Sequence, residues 1–497
     1  MEPTLLFDLI DDAAARYPRA AALTAGQTTL SYADLAAASR RAATWLAGAG
    51  VQRRDRVVVL TPDHLLPVPV LIGCARLGAV VVLLHEDVSA PTVRHVLADT
   101  EPVLLVTDRP DAAAAAAERG IAVATGPAAR DGIATATPAD PPRPLCVDPV
   151  CLIYTSGSTG LPNAVVSTHA QVVFAARAIQ SQLGYRADDV VFSPLPLSFD
   201  YGLYQVFLAA LGGSHLHLGS AQDAGIGLLR RLRAVRATVL PAVPSLAAIL
   251  ARLLERYGGR LDLRLLTNTG ADMPAATVAR LRRLLPDLTV QLMFGLTECK
   301  RVSIMPPDGD LVRPGACGRP LPGTEVTVVH DDGSVLPPGE IGEIVVRGPH
   351  VMAGYWRRPE LTARRFHRTD DLGVELRSGD YGYLDGDGYL YFVGRRDDIY
   401  KSRGFRVSAT EVEAAALRVP GVVAAAVLPP TADRPEPMLF AVTDLDRTTF
   451  RERLREQLEH YKIPHHCELV DALPLTRNGK TDKKALAVRA DAGRLIA

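Results

Sequence analysis

Residues 154–169 read YTSGSTGLPNAVVSTH. Thr155, Ser156, Ser158 and Thr159 place four hydroxyls on one short loop. Gly157 and Gly160 let the backbone approach a ligand closely and aim N–H groups at an anion. That chemistry is the holding of phosphate. The pattern is not the GxxxxGK[ST] of Walker-type NTPases. Where a phosphate loop would normally offer a lysine, the chain has Asn163, so a cation for phosphate has to come from elsewhere. Metal chemistry is poorly represented. His215 and His217, in GSHLHLG, share one face of an expected strand, but no third ligand accompanies them. The six cysteines form no CxxC pair, which indicates neither a zinc site nor a disulfide framework and fits a reducing cytoplasm.

The elements that must position this loop follow from hydrophobic periodicity. Apolar runs at 56–60, 79–84, 103–108, 190–196 and 237–244 read as buried strands. Amphipathic stretches such as SYADLAAASRRAATWLAGAG and SLAAILARLLERYG read as helices between them. Strand and helix in alternation predict parallel sheets covered on both faces. Residues 111–120 (DAAAAAAERG) read as an exposed helix, and the Pro-, Ala- and Gly-rich residues 125–149 as a surface connection into the loop. After about residue 319, GTEVTVVHDDG, GEIGEIVVRG and GYLDGDGYLYFVGR alternate apolar and polar residues around DG turns, the pattern of antiparallel hairpins. Beyond GRRDD the order is helix, strand, strand, helix and a basic tail. The fold class is therefore α/β. A large N-terminal domain, 1–396, has parallel sheets flanked by helices plus a small β-barrel unit, and a small α+β C-terminal domain, 397–497, follows.

Bulk properties limit the function classes. A chain of 497 residues exceeds what one core holds. Lys plus Arg equals Asp plus Glu, so the basic surplus of a nucleic-acid binder is absent. No apolar run approaches the ~18 residues of a membrane span.

Seven segments occur in order: TSGSTGLPNAVVSTH, SFDYGLY, TNTGADMP, FGLTE, SGDYGYLDGDGYLYFVGRRDD, KSRGFRVSATEVE and LPLTRNGKTDKKAL. Together they resemble the adenylate-forming (ANL) superfamily of acyl-CoA synthetases, nonribosomal peptide synthetase adenylation domains and firefly luciferase. The resemblance covers nearly the whole chain. It implies an ATP- and Mg2+-dependent ligase in which a carboxylate attacks the α-phosphate, pyrophosphate leaves, and a thiol then takes the acyl group from AMP. It also implies that the C-terminal domain is a hinged lid.

Residue by residue, the resemblance implies that Lys480 is the lysine reaching the α-phosphate, although a lysine in a basic tail is also simply a solvated one. Glu298 matches the magnesium ligand and Thr297 a phosphate contact; a hard cation bridging phosphate oxygens wants a carboxylate. Asp380 matches the ribose-binding carboxylate, with Arg395 near the same ribose and phosphate. Phe294 matches an aromatic lying on the adenine face, or else packs in the core, and Gly270 and Ala271 would line the base. Asp397 matches the hinge. Lys401 and Gly404 belong to the face presented to the thiol. The family commonly has PKG where this chain has Pro162, Asn163 and Ala164; Asn163 is expected to weaken ATP binding without abolishing chemistry.

SFDYG carries the most information about the acid. In amino-acid-activating members the aspartate of the FD pair, here Asp200 after Phe199, holds the substrate ammonium; its alternative role is to cap a helix starting at Tyr201. The surroundings of FDYGLY and TECKR resemble stand-alone enzymes that activate β-amino acids for macrolactam polyketides. Lys300 and Arg301 either face the acyl pocket and meet a second carboxylate, or lie at the surface or toward phosphate. No carrier segment follows NGK, so the thiol is expected from a discrete phosphopantetheine carrier protein, or from CoA if the acid is not an amino acid. A nucleotide-binding paralogue without catalysis is the third reading. Neither nucleic acid nor membrane is expected as a partner.

Overall fold

The computed structural model describes residues 4–155, 162–220, 223–369, 373–395, 398–402, 405–431, 434, 436–458, 462–476 and 480–494. A six-stranded sheet has the order Ala122–Ala124, Leu104–Thr107, Arg56–Leu60, Val80–Leu83, Pro149–Thr155, Asn163–Thr168. Its strands are parallel except for the last pair, which is an antiparallel hairpin. In Arg56–Leu60, RVVVL buries four of its five residues, as β-branched residues in a sheet covered on both faces do.

The second sheet has a parallel centre formed by Ala21–Ala25, His215–Leu218, Val190–Ser193, Val239–Pro241, Leu265–Asn268 and Thr289–Phe294. Its path continues into antiparallel strands: Ser303–Ile304, Ala316–Pro320, Leu390–Arg395, Val374–Leu384, Gly342–Arg347 and Glu325–Val329. The expected hairpins are thus joined edge to edge onto the parallel core. One apolar cluster spans both sheets: Val57, Val59 and Val81 of the first join Phe192, Leu216 and Leu240 of the second. The C-terminal unit has a separate core, built on Val412, Ala416, Leu439, Ala441, Phe450 and Leu454, over a three-stranded sheet.

Three expectations are corrected. Residues 125–149 are not merely a connection: they contain the helix Gly126–Thr135, capped by the Thr125 side chain accepting from Ala128 N, and Ala129 and Ile133 are buried. Pro127 suits its first turn, where a missing N–H costs nothing. The alanine-rich helix Pro110–Ala117 is exposed on one face, with Asp111, Ala114 and Ala117 outward, but buried on the other. Ala112, Ala115 and Ala116 fall at i, i+3 and i+4 and pack with Val58, Leu60 and Leu105. The basic tail forms the helix Lys483–Arg494, which buries Leu486 and Ala490 beside Phe440. The strand His466–Leu469, which the periodicity did not disclose, pairs in parallel with Met438–Thr443. His215 and His217 do share a face, their ring centroids 4.1 Å apart, and His215 Nε2 meets Thr24 Oγ1 at 2.7 Å. Among the described residues no group of three or more His, Cys, Asp or Glu could hold a metal ion. No helix among them is long and apolar enough to cross a membrane.

Candidate active site

The hydroxyl- and glycine-rich loop is closed at its base by a hairpin. Pro149–Thr155 and Asn163–Thr168 pair antiparallel with Thr155 opposite Asn163, and Thr155 Oγ1 donates to the Asn163 carbonyl at 3.4 Å. Ser156, Gly157, Ser158, Thr159 and Gly160 lie outside the described residues. Asn163 is the first residue of the returning strand, so its side chain leaves the backbone where the loop closes. Asn163→Lys is expected to lower the KM for ATP several-fold, on the order of one screened charge pair, with kcat within a few fold. Initial rates against ATP concentration check this; an unchanged KM would remove position 163 from ATP binding.

The strand Thr289–Phe294 delivers FGLTECKR to the cleft. Gly295 is obligatory there, because a Cβ would fall 2.2 Å from the Lys300 carbonyl oxygen. The turn it permits puts Lys300 at φ +65°, an uncommon conformation for a side chain of this size. Val302 N then donates to the Phe294 carbonyl at 2.8 Å. Glu298 is buried, and its Oε1 accepts the Tyr355 hydroxyl at 2.5 Å. No partner of its second carboxylate oxygen is recorded among the described residues, which leaves a hard donor suited to a divalent cation. Thr297 turns its carbonyl toward Lys300 Nζ, 2.9 Å away. The Phe294 ring stacks on Phe392 at 5.3 Å, so one face is already packed.

Asp380 and Arg395 lie opposite each other on paired strands, with Arg395 Nε 3.2 Å from Asp380 Oδ1. Burial raises the Asp380 carboxyl to about 6, against the pull of Arg395 and Arg365 and with a smaller push from Glu298 and Asp398. Gly270 has φ +90°, and a Cβ there would stand 3.3 Å from Phe199 Cζ and 3.7 Å from Lys480 Cε. Phe199, Gly270 and Lys480 therefore converge, with Ala271 exposed beside them. Much of the Lys480 side chain stays accessible, yet desolvation and the Arg395 charge push its ammonium below the ordinary lysine value, while Asp200 and Asp380 pull it up. One lysine from the C-terminal unit thus feels two carboxylates of the N-terminal domain, Asp200 and Asp380.

Asp200 is the first residue of the helix Asp200–Gly212, whose N-cap is Phe199 with no side-chain cap bond. The capping alternative does not describe it. Its side chain is 6% exposed, and Arg301 Nη1 stands 3.9 Å from Oδ2. The Arg301 guanidinium lies over the Tyr201 ring at 5.0 Å and donates to the Lys300 carbonyl at 2.6 Å. Lys300 is fully buried, and desolvation pushes its ammonium below the lysine value. Neither residue is at the surface. Arg301 Nε, Tyr204 Oη and Thr269 Oγ1 are buried without a hydrogen-bond partner among the described residues.

Lys401 lies on the strand Ile399–Ser402, paired with Phe405–Ser408; Asp397 and Gly404 lie outside the described residues. Beside that position, Lys483 Nζ reaches Asp398 at 3.1 Å and Glu413 at 3.0 Å. The motifs did not reveal a cavity of about 270 Å³ next to Phe199. It is walled by Leu84, Leu195, Leu197, Leu218, Leu246 and Ile249, with Thr476 of the C-terminal unit at its edge. Its walls come from five separate segments with ordinary core sequences, so only their assembly exposes it. Tyr355 was also missed. Its only sequence signal is the GYW turn, which carries no charge.

Residues 10–356 match the AMP-binding enzyme family and residues 411–480 the AMP-binding enzyme C-terminal domain. The chain is 34% identical over 480 residues to a feruloyl-CoA synthase of Amycolatopsis, covering 93% of this chain and 94% of that one. It is 31% identical over 505 residues to an L-proline–[L-prolyl-carrier protein] ligase of Streptomyces coelicolor, covering 94% and 93%. Among solved structures, VinN in complex with L-aspartate is 40% identical with a TM-score of 0.73, covering 78% of this chain and 98% of that one. ATP-bound MatB from Rhodopseudomonas palustris is 30% identical with a TM-score of 0.87, covering 98% of both.

Proposed function

Because this chain belongs to the AMP-binding enzymes, adenylate-forming acid–thiol ligases that use ATP and Mg2+, we propose that it activates an amino acid bearing a second carboxylate and passes it to the phosphopantetheine thiol of a separate carrier protein. The observation carrying this reading is Asp200: a buried carboxylate in the first turn of a helix whose N-cap position is Phe199, with its nearest cation among the described residues 3.9 Å away. A buried charge needs a close partner, and a substrate ammonium supplies one. The second carboxylate is argued from charge. Lys300 and Arg301 are two buried cations beside one buried Asp200, and Arg301 Nε and Tyr204 Oη have donors to spare. An acid side chain entering there would balance the charge. VinN, whose complex with L-aspartate is a structural neighbour, takes an acid of this kind.

In the proposed arrangement Asp380 and Arg395 hold the ribose, and Phe294, Gly270 and Ala271 line the adenine. Thr297 and the loop hydroxyls contact phosphate, and Glu298 ligates Mg2+. When bound, Mg2+ neutralises charge on the phosphate oxygens. Lys480 lends its ammonium to the α-phosphate, where negative charge builds as the carboxylate attacks. A rotation at Asp397 then withdraws Lys480 and brings Lys401 and Gly404 to the site. The cavity beside Phe199, lined by leucines together with Asp63, His64, His85 and Glu86, offers room for the pantetheine arm. The place of such an enzyme is the loading step of a natural-product assembly such as a polyketide.

Pyrophosphate exchange with a panel of acids tests the reading. The panel holds α- and β-amino acids, acidic and apolar, with their deamino analogues and fatty and aromatic acids. Exchange is expected with acidic amino acids and not with the deamino analogues. The feruloyl-CoA synthase likeness makes aromatic-acid exchange with CoA as acceptor the outcome that would replace this reading, and exchange with no acid would point to a non-catalytic nucleotide binder.

A further inference from the structure

The phosphate loop and Glu298 come from different sheets, yet they must address one nucleotide. The segment from Met352 to Arg358 links them. On one side, Met352 N donates to the Glu298 carbonyl at 2.8 Å, and the Tyr355 hydroxyl donates to Glu298 Oε1 at 2.5 Å. On the other, the segment forms a short antiparallel edge along the strand that returns from the phosphate loop. Ala353 N donates to the Val166 carbonyl at 3.0 Å, Val166 N to the Gly354 carbonyl at 2.9 Å, and Trp356 N to the Ala164 carbonyl at 2.9 Å.

Side chains strengthen the same link. Trp356 Nε1 donates to the Asp99 carbonyl at 3.0 Å, and Arg358 pairs with Asp99 Oδ1 at 2.9 Å. Tyr154, next to Thr155, donates to Asp99 Oδ2 at 2.7 Å. Gly354, at φ +111°, lets the segment pass Thr362, whose Cγ2 would be 2.5 Å from a Cβ. The Tyr355 ring is itself held edge-on against Phe366 at 5.5 Å. The result is a strap with two anchored ends and a single hydroxyl on the carboxylate.

We propose that Tyr355 is a positioning residue for Glu298, and that residues 352–358 set the separation between that carboxylate and the phosphate loop. A carboxylate free to rotate would present either oxygen, or both, to a cation. With one lone pair of Oε1 engaged by a donor, the carboxylate plane is fixed and Oε2 is the oxygen with both lone pairs free of partners among the described residues. The neighbours of a ligating carboxylate are what orient it, and their loss typically lowers metal affinity or activity by roughly 10–100-fold. The proposal rests on the reading of Glu298 as the magnesium ligand, and its test separates the two.

The measurement is binding of a non-hydrolysable ATP analogue, by calorimetry, with and without Mg2+. The wild-type protein is expected to bind more tightly with Mg2+. Tyr355→Phe keeps the ring against Phe366 and should lose most of that gain, about tenfold in analogue affinity, with metal-free binding unchanged. Glu298→Gln should lose it as well. Phe366→Leu, which disturbs the ring packing but leaves the hydroxyl, should keep the gain, and melting temperatures are recorded for all four proteins. If Tyr355→Phe keeps the full Mg2+ gain while Glu298→Gln loses it, the positioning role is overturned and the ligand stands. If Glu298→Gln keeps the gain, the ligand reading fails and the proposal falls with it. Loss of the gain in Phe366→Leu to the same extent as in Tyr355→Phe would assign the effect to packing and also overturn the proposal.

Discussion

Lys480→Ala is expected to slow acyl-adenylate formation by about 100-fold or more, the usual loss when a fixed donor to a developing oxyanion is removed. The structure supplies the geometry for this expectation: a Cβ built on Gly270 would stand 3.7 Å from Lys480 Cε, and the ammonium feels the charges of Asp200 and Asp380. The effect should fall on kcat more than on the KM for ATP, because the ammonium matters most when charge builds at phosphorus. A single-turnover assay of pyrophosphate release would measure it. The second half-reaction, started from synthetic acyl-adenylate and thiol, should change by only a few fold, since the proposed rotation takes Lys480 away before the thiol attacks. Adenylation at the native rate in the variant would end the proposal that this lysine acts at the α-phosphate. Equal losses in both half-reactions would place its effect in the fold of the C-terminal unit.

Asp200→Asn tests the other end of the reacting acid. Removing one member of a buried charge pair typically costs 3–5 kcal/mol, which converts to roughly 100- to 5,000-fold in kcat/KM for the amino acid. The variant keeps the shape of the side chain and removes its charge. It also leaves Arg301 without its neighbour at 3.9 Å, so a simple loss of activity would not be diagnostic. The informative quantity is the ratio between an amino acid and its deamino analogue. Wild-type protein should favour the amino acid strongly, and Asp200→Asn should bring the ratio near one. A ratio that survives the substitution would remove Asp200 from ammonium recognition and redirect the search to aromatic or CoA-linked acids.

Several features of the candidate site stand out in the sequence because each is a short contiguous motif. The hydroxyl-and-glycine run at 155–160, the carboxylate after FGLT and the NGK near the end are each contiguous. The strand at 56–60 was legible because continuous burial leaves an unbroken apolar run. The buried face of the helix at 110–117 and the helix at 126–135 were missed for one reason. Alanine and glycine carry little hydrophobic contrast, so their periodicity is weak even where Ala112, Ala116 and Ala129 are fully buried. The strand His466–Leu469 was hidden because it is short, and its pairing partner, Met438–Thr443, is distant in the chain.

The choice left open at Lys300 and Arg301 shows the limit more sharply. Surface, phosphate and acyl pocket were equal readings of TECKR. The structure buries both, on a turn that Gly295 permits by the close approach of the Lys300 carbonyl.

The order of motifs by itself determined that this protein joins an acid to a thiol through an adenylate, because each motif supplies its chemistry within a few residues. Tertiary structure alone decided which groups share a site. Asp200 and Arg301 are 101 positions apart in the chain and 3.9 Å apart in space, and Tyr355 meets Glu298 only because a strap crosses between two sheets. Local sequence governs dihedral preferences and periodicity, whereas such contacts arise from the packing of segments that carry no mark of one another.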